Sequence, residues 1–245
     1  MKFKRLPALV GLSFALFGFK GQASLLINEV DYDQPGSDTA EFIELFNAGN
    51  TSLDLFGYSL SLINGNSGAI YRSFDLPDLQ LQAGAYFVLC GDSANVINCD
   101  LNVSPASNLI QNGAPDALAL FFGASQIDSL SYEGSVAGFT EGSGAGLVDS
   151  ATVAYLGLSR WPNGADSDSN NADFAQACIT PGMANTDRTS GCTDPVVVPP
   201  IGVPEPAAWL LLGAGLVLLR GPRGRCLHEA DGLRTTVGHE PKRRL

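Results

Sequence analysis

Residues 25–62 read LLINEVDYDQPGSDTAEFIELFNAGNTSLDLFGYSLSL, and the period of two written into them constrains the fold more than any other feature of the chain. Two β-like runs, 25–30 and 41–46, are joined by an Asp/Pro/Gly/Ser-rich connection, the pattern of two strands linked by a polar loop. In the second run the alternation puts Ile43 and Leu45 on one face and Phe42 and Phe46 on the other. Both faces carry apolar bulk, so the expected strand is buried on both sides, or on one side with a lid. Asn47-Ala48-Gly49-Asn50 then signals a turn, and Leu53, Leu55, Tyr58, Leu60 and Leu62 resume the alternation.

Further short apolar runs recur at 69–74, 85–89, 117–122, 127–132 and 151–156, each bounded by Gly, Asn, Asp or Pro. No window carries a sustained 3.6-residue stripe, which makes the class all-β with few helices. The span 24–192 is long enough for one domain with a sizeable core.

The motifs INEV, EFIEL-N and L-D-L-GYSL resemble the opening strands of bacterial lamin-tail domains. Leu79, Leu81, Ala83-Gly84 and Tyr86-Phe87-Val88-Leu89 are similar to a mid-domain strand of that family, and Ser159-Arg160-Trp161-Pro162 with Thr180-Pro181-Gly182 and Asn185 to its closing segment. The resemblance spans about 25–185 and implies an immunoglobulin-like β-sandwich.

At the start of the chain, Lys2, Lys4 and Arg5 precede an apolar run over 6–19, and Gly21-Gln22-Ala23 offers small residues for cleavage. This reads as a secretory signal peptide over 1–23, since the run falls short of the ~20 apolar residues that span a bilayer. Export favours disulfides over metal thiolates for Cys90, Cys99, Cys178 and Cys192. Proximity pairs Cys90 with Cys99 and Cys178 with Cys192, although four cysteines allow three connectivities. CxxC zinc spacing is absent.

Between Ser24 and Leu219 only Arg72, Arg160 and Arg188 face 22 carboxylates, a net charge of −19. Such a surface repels phosphate, so nucleic acid is excluded as a partner of the folded part, whereas cations and neutral or basic surfaces are compatible with it.

Both histidines, His228 and His239, lie beyond the apolar segment near the C-terminus. The exported body therefore has no imidazole for Ser-His or Cys-His nucleophiles or for ordinary zinc hydrolysis. A carboxylate pair could still cleave glycosides, with Glu29, Glu41 and Glu44 the first to consider, but in a sandwich such residues commonly satisfy turns and backbone donors. Arg160 is expected to pair with a carboxylate such as Glu44 or Asp173 and so pin the last segment. Trp161 is expected to cap the core or an edge.

Two loops place carboxylates at every second residue, 31–38 (DYDQPGSD) and 166–173 (DSDSNNAD). Calcium takes six to eight hard oxygens from a chain able to fold round it. Asp166, Asp168, Asn170 and Asp173 form the candidate set, against the alternative of a solvated Asx-turn loop. Neither loop completes an EF-hand.

After Cys192 a Pro-rich linker over 193–202 leads to Val203, Pro204, Glu205 and Pro206, an apolar run over 207–219, and Arg220, Arg223 and Arg225. This segment, 203–225, resembles the PEP-CTERM sorting signal, which implies processing by an exosortase-type enzyme. The run would insert transiently in the membrane with its arginines on the cytoplasmic side. Thirteen residues make about 20 Å of helix, so spanning draws on flanking residues or a thinned bilayer. The polar tail 226–245 extends past the arginines where such signals usually end.

The sequence thus predicts an exported, non-enzymatic binding or structural protein of the cell envelope or extracellular matrix. The sorting resemblance implies association with extracellular polysaccharide or another surface protein. The rival readings are a calcium-dependent adhesion module and, further off, a carboxylate glycosidase.

Overall fold

The computed structural model describes residues 24–195. The chain runs through β1 (Leu25–Asp31), β2 (Phe42–Asn47), β3 (Leu53–Asp54), β4 (Tyr58–Asn64), β5 (Ala69–Asp75), β6 (Gln80–Leu81) and β7 (Tyr86–Cys90). It continues through β8 (Leu101–Asn102), β9 (Asp116–Phe122), β10 (Ser125–Tyr132), β11 (Leu156–Arg160), the one-turn helix α1 (Asn170–Asp173) and β12 (Phe174–Cys178). One sheet has the order β12-β11-β1-β2-β7-β8, the second β10-β9-β4-β5, and β3 pairs with β6 in a short ribbon.

The two large sheets pack face to face. Leu25, Ile27, Ile43, Leu45, Phe87, Leu89 and Leu158 from the first meet Leu60, Leu62, Leu118, Leu120, Leu130 and Tyr132 from the second in one core. Each fully buried side chain of this kind contributes roughly 1.5–3 kcal/mol relative to exposure, so this face defines the fold. Alternating burial from two sheets is the pattern of a β-sandwich.

β1 and β2 pair antiparallel, with Leu26 opposite Phe46 and Val30 opposite Ile43. The ladder shifts register between Ile27 and Glu29, leaving Asn28 as an extra residue on β1. A strict period of two would send Glu29 and Asp31 into the core behind Leu25 and Ile27. The bulge flips the parity, so Val30 and Tyr32 enter the core and Glu29 turns outward. On β2, Ile43 and Leu45 face the sandwich interior, and Phe42 lies in a second cluster with Val88, Cys90, Val96 and Ile179. Both faces of β2 are covered, as its alternation requires; Phe46 packs at its end with its ring 4.9 Å from that of Tyr86.

The strands at β5, β7, β9 and β10 fall on the runs that alternation marks. The run over 151–156 does not form a strand: residues 151–155 turn, with Tyr155 at φ 63°, and β11 begins at Leu156. β11 extends into the polar pair Ser159-Arg160 because both find buried partners, described below. The 53–62 alternation is likewise divided, with β3 and β4 separated by a turn at 55–57. Trp161 is 44% exposed and is not a core residue.

Cys90 is bonded to Cys99 and Cys178 to Cys192, nine and fourteen residues apart. In the chain-entropy model, loops of this size stabilise by about 3 kcal/mol each. The signal-peptide region 1–23 and the linker, sorting motif and tail expected beyond residue 195 lie outside the described residues.

Candidate functional site

Arg160 ends β11 on the same face as Leu158, so its side chain enters the sandwich, where it is fully buried. A buried guanidinium demands carboxylates and acceptors for every donor. Its Nη1 lies 3.1 Å from Asp173 Oδ2 and 3.3 Å from Asp166 Oδ1, and its Nη2 3.3 Å from Asp128 Oδ2. Nε donates to the Ile27 carbonyl at 3.1 Å and Nη1 to the Ala165 carbonyl at 2.9 Å. The guanidinium also stacks 4.5 Å above the Phe174 ring. Asp128, on β10, accepts the Ile27 N–H of the opposite sheet at 2.6 Å. The cluster therefore bolts the two sheets together and fixes the 165–173 loop between them. Arg160 pairs with Asp173, as expected, but not with Glu44; its other two partners are Asp128 and Asp166.

Asp166 and Asp173 converge on a cation the chain itself supplies. Asn170 is buried and faces the other way: its Oδ1 accepts from Ser131 N and Glu141 N, and its Nδ2 donates to the Ser129 carbonyl. The carboxamide thus extends the ladder of β10, a sheet edge whose backbone groups need partners. The Asp168 N–H donates to Asp166 Oδ1 at 3.2 Å, an Asx turn, with Asp168 at φ 55°. Among the described residues, the three carboxylates with oxygens within 4.8 Å of one another are Asp128, Glu141 and Asp166. Burial, and then the charges of Asp128 and Asp166, push the Glu141 carboxyl up to about 8. Burial raises Asp128 to about 6 against the opposing pull of Arg160. Asp128 and Glu141 carried no local signal, because only tertiary pairing brings them to the loop.

A second polar cluster covers the outer face of the first sheet. Glu29 and Glu44 sit opposite each other on β1 and β2, and both are fully buried. Residues 179–185 cross over them as a strap. Glu29 accepts from Ser159 Oγ at 2.6 Å and from Thr180 N at 2.8 Å, and Glu44 from Asn28 Nδ2 and Gly182 N, each at 2.7 Å. Asn185 donates its Nδ2 to the carbonyls of Asn28 and Arg160, closing the strap on the bulge. Gly182 holds φ +79°, and an added Cβ there would fall 2.6 Å from Asn98 Cβ, so a residue without a side chain is required. Burial raises Glu29 to about 7, and burial plus the charge of Glu29 holds Glu44 well above the usual carboxylate range.

Glu41 supports a third element, accepting from Leu109 N at 2.6 Å and Ile110 N at 2.9 Å. The three glutamates weighed for glycoside cleavage thus all hold backbone donors, the use a sandwich commonly makes of them. In the 31–38 loop the carboxylates close on the loop itself: Asp31 accepts from Gln34 Nε2 and Asp38 from Gln34 N. Asp149 completes the frame by accepting from Tyr32 N and Asp33 N.

A disulfide-closed β-sandwich of the immunoglobulin-like kind, cross-linked by buried carboxylates, is the class that this fold and these clusters define. Residues 20–134 match the family model of the Lamin Tail Domain, in agreement with the resemblance carried by INEV and EFIEL. The matched span contains β1 to β10, while β11, β12 and the strap lie beyond it. No curated protein matches the chain.

Proposed function

We propose that the chain is an exported, non-enzymatic binding or structural module, carried to the cell envelope or extracellular matrix and released from the membrane by an exosortase-type enzyme that reads Val203-Pro204-Glu205-Pro206 and the arginines Arg220, Arg223 and Arg225. The observation that carries this reading is the pair of disulfides, Cys90–Cys99 and Cys178–Cys192, because such bonds persist in oxidising compartments and are rare in the cytosol. The Lamin Tail Domain match supports a non-catalytic role, and the buried glutamates are already committed to backbone donors. Replacing Pro204 and Glu205 with alanine in the native host is expected to leave the protein in the membrane fraction while the parent reaches the medium or matrix. Equal release of parent and variant would refute exosortase processing.

A calcium-dependent adhesion module is the second reading, favoured by one observation, the approach of Asp128, Glu141 and Asp166 within 4.8 Å. Three oxygens are fewer than the six to eight calcium takes, so backbone and water must complete the shell, and the ion must share Asp128 and Asp166 with Arg160. A true site gives a larger rise in melting temperature with calcium than with magnesium at equal ionic strength, and loses that difference in Asp166→Asn. Equal responses to the two ions would reduce the effect to charge screening.

A further inference from the structure

A cleft of about 370 Å³ opens between the β4–β5 turn and the 108–113 loop, away from the Arg160 and Glu29 clusters. Its lining is unusual in chemistry: Asn64, Asn66, Asn108, Gln111 and Asn112 bring five carboxamides to one concavity, with the Asp116 carboxylate at its floor. Its volume lies within the ~300–1,000 Å³ range of small-molecule sites.

The loop wall is held in place before any ligand arrives. Glu41 grips Leu109 N and Ile110 N, Tyr71 Oη accepts from Gln111 N at 2.9 Å, and Tyr132 Oη donates to the Gln111 carbonyl at 2.7 Å. Asn64 Nδ2 donates to Gln111 Oε1 at 2.7 Å and ties the two walls together. Leu109 and Ile110 are buried in the main core, so the polar side chains of this wall stand on a fixed backbone. At the floor Asp116, 1% exposed, accepts from Gly65 N through Oδ1. Its Oδ2 is buried against Gly113, whose backbone N–H stabilises the charged form.

We propose that this cleft binds a neutral, polyhydroxylated ligand, a saccharide unit. The inference rests on the reading of the chain as an exported binding module and deepens it. Asn64, Gln111 and Asn112 spend part of their capacity on one another and on Ser67 and Asp38, while Asn66 and Asn108 at the exposed rim each offer a donor and an acceptor side by side, the complement of a hydroxyl that is itself both. No lining residue is cationic, and the body is strongly acidic, so anionic sugars are repelled. A single carboxylate among amides gives little of the charge that binds a divalent ion.

The test uses the full chain, titrated by calorimetry and by saturation-transfer NMR against dextran, β-glucan and galactan oligomers, with alginate oligomers and calcium chloride as separate arms. Asn66→Leu and Asn108→Gly alter exposed rim residues, the glycine keeping the positive φ of 51° at 108, and are expected to leave the melting temperature nearly unchanged. The expected result is binding of at least one neutral oligomer and a tenfold or greater loss of affinity in both variants. Binding that both variants retain in full, binding by alginate or calcium alone, or no binding by any neutral oligomer would overturn the proposal. Localisation of the parent, measured separately, tells failure of the cleft from failure of the export reading.

Discussion

Raising the pH from 5 to 8.5 is expected to lower the melting temperature of this protein by on the order of 10 °C, the reverse of what an ordinary acid-denaturing protein does. The cause is the number of carboxyls that folding removes from water. Glu29, Glu41 and Asp149 are raised to about 7 and Glu141 to about 8, in each case mainly by burial, and Asp31 and Glu44 are held well above their usual range. In each of these groups the folded pKa exceeds the unfolded one, so the folded chain binds more protons than the unfolded chain through this interval, and stability falls as pH rises. The stabilisation is complete below about 4.5 and is lost as pH climbs through about 6 to 8. One pKa unit corresponds to 1.36 kcal/mol, so Glu29 alone accounts for about 3 kcal/mol. The groups interact, so their contributions do not simply add, but a total loss of several kcal/mol is expected, at roughly 2–4 °C per kcal/mol for a domain of this size. Differential scanning calorimetry at constant ionic strength measures it directly. A melting temperature that is flat or rises over this range would contradict the burial of these carboxyls in their acid form.

The second large effect is expected at Arg160. Arg160→Met keeps the length of the side chain and its contact with Phe174 but removes the charge shared by Asp128, Asp166 and Asp173. Breaking a buried ion pair from one side costs about 3–5 kcal/mol, because the partner charges stay buried without compensation. Here three carboxylates and the Ile27 and Ala165 carbonyls lose a donor together. The variant is therefore expected to unfold at much lower urea than the parent at pH 7.5, and to recover part of the difference at pH 5, where Asp128, raised to about 6 by burial even against the pull of Arg160, takes up a proton. Arg160→Lys should fall between the two, since an ammonium satisfies fewer of these acceptors at the same positions. A loss under 1 kcal/mol for Arg160→Met would mean that the carboxylates, not the arginine, hold the 165–173 loop.

What the sequence revealed of this fold follows from where bulk alternates. β2 is legible because Phe42, Ile43, Leu45 and Phe46 are large on both faces, and β7, β9 and β10 because Phe87, Leu89, Leu118, Leu120, Leu130 and Tyr132 recur at a spacing of two. β12 is not, since Ala175, Gln176 and Ala177 separate Phe174 from Cys178 with little bulk. β11 lies beyond the apolar run at 151–156 because its last two residues are polar; they join a strand only through Glu29 and Asp128, which are 130 and 32 residues away. The Asp166 loop illustrates the same limit. Its spacing of acids is compatible with a cation, but which cation depends on Arg160 pointing inward from β11, and Ile27, a partner of that guanidinium, lies 133 residues away. Strand period is local physics, whereas the pairing of buried charges is decided by tertiary topology. Glu29, Glu41 and Glu44 were legible as backbone acceptors in kind, though not in which loops they would hold.

The central claim, an exported and sorted disulfide-closed sandwich, is tested most directly by the intact mass of the protein recovered from the medium or matrix of the native host under non-reducing conditions. The expected species begins at Ser24, ends near Glu205, lacks His228 and His239, and weighs four hydrogens less than its reduced form, as the two disulfides require. A species that retains residues 1–23 or the 207–245 segment, or that carries free thiols at Cys90, Cys99, Cys178 or Cys192, would contradict it.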